Sequence, residues 1–188
     1  HPAIAGVIFT GSTEVAKLIQ RQLSQRLSRD GKPIPLIAET GGQNALIVDS
    51  SALPEQVVND VLLSAFDSAG QRCSALRVLC LQEEIADRVL AMLKGAMAEL
   101  SIGNPHRLST DIGPVISAEA QQRISEHIGG MQAKGRRVTQ LPLPPGARHG
   151  TYLAPTLIRG DLDAVIDGIN ATGYGLTFGI HSRIDETI

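Results

Sequence analysis

Tryptophan is absent from this chain of 188 residues, and two tyrosines and three phenylalanines hold the aromatic share to 3%. A stacking platform for nucleic-acid bases needs such side chains. Cationic surface is equally scarce: 17 Lys and Arg against 19 Asp and Glu leave a net charge of −2, and the densest basic stretch is Lys134-Gly135-Arg136-Arg137. Both shortages argue against a nucleic-acid face in this region. No apolar run approaches the roughly 18 residues that a membrane-spanning helix needs. Cysteine is limited to Cys73 and Cys80. With no signal-peptide pattern, the expectation is two free thiols in a reducing, cytoplasmic compartment. His1, His106, His127, His149 and His181 are scattered without metal-ligand spacing, so no metal site is expected.

What the chain does have is 43% hydrophobic residues, enough for a real core, arranged in alternating periods. Short apolar runs at 4–9, 35–38, 45–48, 76–81, 137–139, 152–158 and 177–181 read as strands. Between them, 13–27, 54–66, 83–100, 118–133 and 161–170 read as amphipathic helices. Such alternation predicts an α/β fold: a mostly parallel open sheet with helices on both faces. The stretch 141–146 is Pro-rich but too short for a domain linker, and neither repeats nor low-complexity segments occur. The chain opens on His1-Pro2-Ala3 and runs straight into a strand, while 183–188 reads as the first turn of a helix. The expectation is therefore a fragment of a longer enzyme.

Three junctions carry candidate chemistry. In Phe66-Asp67-Ser68-Ala69-Gly70-Gln71-Arg72-Cys73-Ser74-Ala75 a helix turns into a strand, with Gly70 permitting the turn and Arg72 bringing a cation next to Cys73, where positive charge and backbone N–H groups would draw the thiol toward thiolate. A thiol at such a turn is a candidate nucleophile, and a free cysteine filling a core gap is the alternative. Cys80, inside Val78-Leu79-Cys80-Leu81, reads as inert packing. At Thr10-Gly11-Ser12-Thr13-Glu14 a strand meets a helix start, which is either an anion site or an ordinary N-cap. At Glu39-Thr40-Gly41-Gly42 a carboxylate ends a strand before a Gly-Gly turn. Open α/β sheets place ligand crevices at such strand ends, although most glutamates are simply solvated.

The order Gly11-Ser12, then Glu39-Thr40-Gly41-Gly42, then Gly70-Gln71-Arg72-Cys73 resembles the aldehyde dehydrogenase superfamily. Ile102-Gly103-Asn104-Pro105, Asp111-Ile112-Gly113-Pro114-Val115-Ile116 and Gly173-Tyr174-Gly175-Leu176-Thr177 are similar to its catalytic domain. Residues 38–44, 68–77 and 171–183 look like the glutamate-semialdehyde (pyrroline-5-carboxylate) dehydrogenase branch, in particular the dehydrogenase module of bifunctional proline utilization A proteins. The resemblance implies that 1–38 is the C-terminal part of an NAD-binding domain and 39–188 the catalytic domain.

The resemblance also implies roles. Cys73 is the nucleophile, Glu39 the base that hydrolyses a thioester, Thr10, Gly11 and Ser12 contact NAD, and Ser74 meets the substrate's α-carboxylate. It further implies a small aldehyde substrate, a homo-oligomer, and a parent chain with a proline dehydrogenase domain, the only place where FAD is expected. The superfamily's Glu-x-Phe-Gly-Pro stretch should follow residue 158, yet the chain passes directly to Arg159-Gly160-Asp161. A segment is expected to be missing between 158 and 159, and the polypeptide as written is expected to bind NAD weakly and turn over slowly. Two alternatives remain at this point: another aldehyde or acylating semialdehyde dehydrogenase, and an inactive structural module of the same fold.

Overall fold

The chain divides into two units, His1–Gly42 and Gln43–Ile188, and the computed structural model describes residues 1–185. In the first unit, strand β1 (Val7–Thr10) and strand β2 (Leu36–Glu39) flank helix α1 (Thr13–Ser24). The strands pair in parallel, from Val7 beside Leu36 to Thr10 beside Glu39. Glu39 is thus the last strand residue. Helix α1 stops three residues before the end that the apolar period suggests. Leu27 instead bridges Pro33, and a tight turn follows in which the Ser28 N–H donates to the Lys32 carbonyl and Gly31 takes φ 71°. Parallel strands are normally covered on both faces, but Ile8 and Ile37, register partners, are 82% and 58% exposed.

The second unit is built on a parallel sheet in the order β4–β3–β7, with strand β3 (Asn44–Val48) at its centre. Along β3 the even positions Asn44, Leu46 and Val48 are buried, while Ile47 is exposed on the opposite face. The buried face packs against helix α2 (Pro54–Phe66) and helix α3 (Glu83–Ala98) through Val57, Val58, Val61, Val89, Leu93 and Met97. Full burial of each such side chain contributes about 1.5–3 kcal/mol. Pro54 at the first helical position sets the start of α2. Strand β4 (Leu76–Leu81) joins β3 with a register shift at Asn44/Ala45 that makes Arg77 the extra, bulged residue.

Helix α4 (Ala118–Ala133) is N-capped by the Ser117 hydroxyl and leads into an antiparallel pair, β5 (Val138–Gln140) with β6 (Thr156–Ile158). Helix α5 (Leu162–Thr172) is capped by Asp161, ends on Gly173 at φ 70°, and precedes strand β7 (Phe178–His181). Its apolar residues Leu162, Ile166 and Ile169 face Ile47, Cys80 and Phe178 across an open cleft of about 780 Å³. The strands are mostly parallel, as expected, but they fall into three separate sheets among the described residues. Of the helical turn expected at 183–188, residues 186–188 lie outside the described residues.

Candidate active site

The first unit brings Thr10, Gly11, Ser12 and Glu39 together at one end of its strand pair. Thr10 is the register partner of Glu39, and the Gly11 N–H donates to the Glu39 carbonyl at 3.1 Å. The Ser12 hydroxyl accepts from the Val15 N–H at 3.3 Å and so caps α1. A hydroxyl that accepts in this way keeps its own O–H for a second partner. The positive end of the α1 dipole and the Ser12 O–H therefore lie at the same place, and this donor set suits a phosphate oxygen.

The second unit carries Cys73 and Ser74 on the turn between α2 and β4, and both side chains are exposed. The approach to this turn is strained: Ser68 and Ala69 adopt left-handed φ values of 56° and 53°, followed by Gly70 at 67°. Such conformations cost non-glycine residues energy and persist where the surroundings enforce them. At Gly70 a Cβ would lie 2.7 Å from the Ala65 carbonyl oxygen, so glycine is required twice over.

Three side chains then fix the loop. Gln71 accepts the Ile116 N–H at 2.8 Å and donates to the Ser68 carbonyl at 3.1 Å, tying the turn to the segment after Pro114. Arg72 donates to the Leu63 and Ser64 carbonyls at 2.7 and 3.1 Å, neutralising the C-terminal end of α2. Its cation, adjacent to Cys73 in sequence, is thus committed to that helix end. The bulged Arg77 instead turns back and donates to the Gly70 carbonyl at 2.7 Å and the Arg72 carbonyl at 3.4 Å.

Ser74 lines a cavity of about 280 Å³ with Asn44, Asp60, Ser64, Thr177 and His181. Asp60 and the His181 Nε2 approach to 3.0 Å there. Cys80 is half-buried on the cleft face of β4, and desolvation pushes its thiol up from the ordinary value. The segments 101–104 and 110–112 meet through the Ser101 carbonyl, which accepts from the Asp111 and Ile112 N–H groups at 2.9 and 3.0 Å. Ile102 and Ile112 form a second small core with Ala147 and Ala154. Among the described residues no group of three or more His, Cys, Asp or Glu could hold a metal ion, and no helix is long and apolar enough to cross a membrane.

Asn44, Gln71 and Arg77 take roles in the fold that the chemistry-bearing junctions of the sequence do not announce. One signal was available for Asn44: a carboxamide at the first of three same-face positions in an apolar strand, 44, 46 and 48. No sequence signal marks Arg77, because the bulge that redirects it depends on strand register.

Residues 1–161 match the family model described as the aldehyde dehydrogenase family. The bifunctional protein PutA of Klebsiella aerogenes is 58% identical over 213 residues, covering 98% of this chain and 16% of that protein. The matched span is longer than this chain of 188 residues, so that relative carries additional residues within it. A crystal structure of a bifunctional proline utilization A protein superimposes with a TM-score of 0.85 at 47% identity, covering 100% of this chain and 21% of that one. A 1-pyrroline-5-carboxylate dehydrogenase from Thermus with bound NAD does so with a TM-score of 0.78 at 28% identity, covering 99% of this chain and 40% of that one. The chain therefore spans about one sixth of the PutA sequence it matches. With the Gly-Ser helix start, the Glu-Thr-Gly-Gly strand end and the Cys73 turn all inside the matched residues, the chain belongs to the aldehyde dehydrogenase family.

Proposed function

We propose that this chain is the cysteine-bearing part of an NAD-dependent dehydrogenase that oxidises L-glutamate γ-semialdehyde to glutamate, the second step of proline catabolism. One observation carries the reading: Cys73 is exposed on a strained, side-chain-braced helix-to-strand turn in a chain 58% identical to a PutA protein. The NAD in the Thermus relative supports the cofactor. So does the α1 start, where the Ser12 hydroxyl and the helix dipole suit a pyrophosphate, with Gly11 and Thr10 beside it.

In this reading the Cys73 thiolate attacks the aldehyde carbon and the carbonyl π pair moves to oxygen, giving a hemithioacetal. The Cys73 N–H is a donor for that oxyanion. NAD, when bound, supplies the hydride acceptor. As the C–H pair leaves, the oxyanion re-forms its carbonyl and Cys73 holds a thioester. Glu39 takes a proton from water, the hydroxide adds to the thioester carbon, and the C–S bond breaks to release the acid and the thiolate. Ser74 offers its hydroxyl to the substrate's α-carboxylate.

The same reading makes 1–38 the end of the NAD domain and 39–188 catalytic. It also places a proline dehydrogenase domain, with its FAD, elsewhere in a cytoplasmic, homo-oligomeric parent protein. The extra residues of the PutA relative support a segment missing between 158 and 159; reading the coding DNA across that junction tests this. The functional test is NAD reduction by the full-length parent with glutamate semialdehyde. Cys73→Ala is expected to abolish it and Glu39→Gln to stop after thioester formation. Undiminished turnover in Cys73→Ala would overturn the mechanism, and acyl-phosphate or acyl-coenzyme A as product would reassign Glu39.

A further inference from the structure

Asn44 is a buried polar side chain of the second unit, 3% exposed at the start of β3. Its amide nitrogen donates to the Cys73 carbonyl at 2.7 Å and the Ala75 carbonyl at 2.8 Å. Its amide oxygen accepts the Thr177 N–H at 3.1 Å. Reversing the carboxamide would set its oxygen against two carbonyls and its NH₂ against an N–H, so the network determines its orientation. A leucine or valine at 44 would continue the apolar pattern of Leu46 and Val48 while leaving all three backbone groups unpaired.

The hydrogen bonds fall where they control the thiol. Cys73 is exposed, so packing does little to aim its Sγ, and the direction of its Cα–Cβ bond follows from the two peptide planes around it. The plane before it is held at the Arg72 carbonyl, which accepts from the Ala75 N–H at 3.2 Å and from Arg77 at 3.4 Å. Asn44 holds the plane after it, at the Cys73 carbonyl. Through Thr177 the same carboxamide seats the 173–177 loop at the entrance to β7. We propose that Asn44 is the positioning residue of the Cys73 nucleophile, aiming its thiol through the backbone and coupling the turn to the 173–177 loop. The proposal rests on Cys73 being the nucleophile.

The test uses the full-length parent protein with three substitutions: Asn44→Leu, which preserves side-chain bulk without hydrogen bonds; Asn44→Asp, which keeps the acceptor for Thr177 but loses both donors; and Cys73→Ala. Three quantities are read: kcat and KM for the aldehyde, the pH dependence of Cys73 alkylation by iodoacetamide, and thermal unfolding. Misaiming a reacting atom costs on the order of 100-fold in rate. Both Asn44 variants are therefore expected to lose about that factor in kcat, to keep KM nearly unchanged, and to alkylate Cys73 with an altered rate-against-pH profile while still folded. A folded Asn44 variant with wild-type kcat and alkylation profile would overturn the proposal. Failure of both variants to fold would also overturn it, by assigning Asn44 to the scaffold alone. If Cys73→Ala itself retains turnover, the nucleophile assignment fails first, and loss in the Asn44 variants no longer speaks to Cys73.

Discussion

Cys73 and Cys80 lie seven residues apart on one continuous turn-and-strand, yet they differ in exposure and in the backbone that carries them. Cys73 is exposed, preceded by three consecutive left-handed residues, and flanked by peptide groups that Asn44, Arg77 and Ala75 hold in place. Cys80 sits in regular strand, half-buried beside Ile47 across the sheet, with its thiol pushed up by desolvation. On the proposed mechanism, reactivity belongs to the backbone junction rather than to the residue type. A strand offers a thiol apolar neighbours, whereas a braced turn offers solvent access, N–H donors and a fixed direction.

The largest expected effect separates the two cysteines directly. In the full-length parent, Cys73→Ala should lower turnover by about 10³-fold or more, whereas Cys80→Ala should leave it near wild type; steady-state NAD reduction checks both. Equal losses would erase the distinction between them.

The turn itself comes next. Gly70→Ala forces a Cβ into a left-handed conformation and against the Ala65 carbonyl oxygen. A loss of about 2–4 kcal/mol in chemical denaturation is expected. Ala69→Gly at the neighbouring left-handed position should be neutral or stabilising by up to about 1 kcal/mol, opposite in sign to most alanine-to-glycine changes. Gln71→Ala removes the accepted Ile116 N–H and the donation to the Ser68 carbonyl. It should cost about 1–2 kcal/mol and speed hydrogen exchange at Ile116, leaving Cys80 alkylation unchanged.

The smallest effect concerns Cys80. A thiol whose folded pKa is raised binds its proton more tightly in the folded state than in the unfolded chain. Its contribution to stability is complete below the unfolded value and is lost as pH rises through the folded one. Cys80→Ala should therefore slightly flatten the alkaline fall in Tm as pH rises past the ordinary thiol value of about 8.5, and a steeper fall in the variant would contradict this.

How much of this was legible in the sequence varies with how local each feature is. Helices α2 and α4 and strand β4 begin and end where periodicity and Pro54 place them, because apolar stripes and helix-start residues are short-range signals. Pairing order is not short-range: the expected, mostly parallel arrangement is present, but its division into three sheets among the described residues was not legible. The α1 stripe shows the same limit. Val15, Leu18 and Leu27 have helical spacing but are exposed, since amphipathic spacing predicts a buried face without supplying its partner. At the site, Arg72 stands next to Cys73 in the chain but serves the end of α2. Asn44 acts on partners 29, 31 and 133 residues away. Adjacency overstates the first residue and conceals the second.

The central claim is that chemistry passes through Cys73 and leaves Cys80 untouched. Its most direct test is intact-mass and peptide mapping of the full-length Glu39→Gln variant after mixing with NAD and glutamate semialdehyde. An acyl adduct is expected on the peptide containing Cys73 and none on Cys80. An unmodified Cys73 during continuing turnover, or an adduct on Cys80, would contradict it.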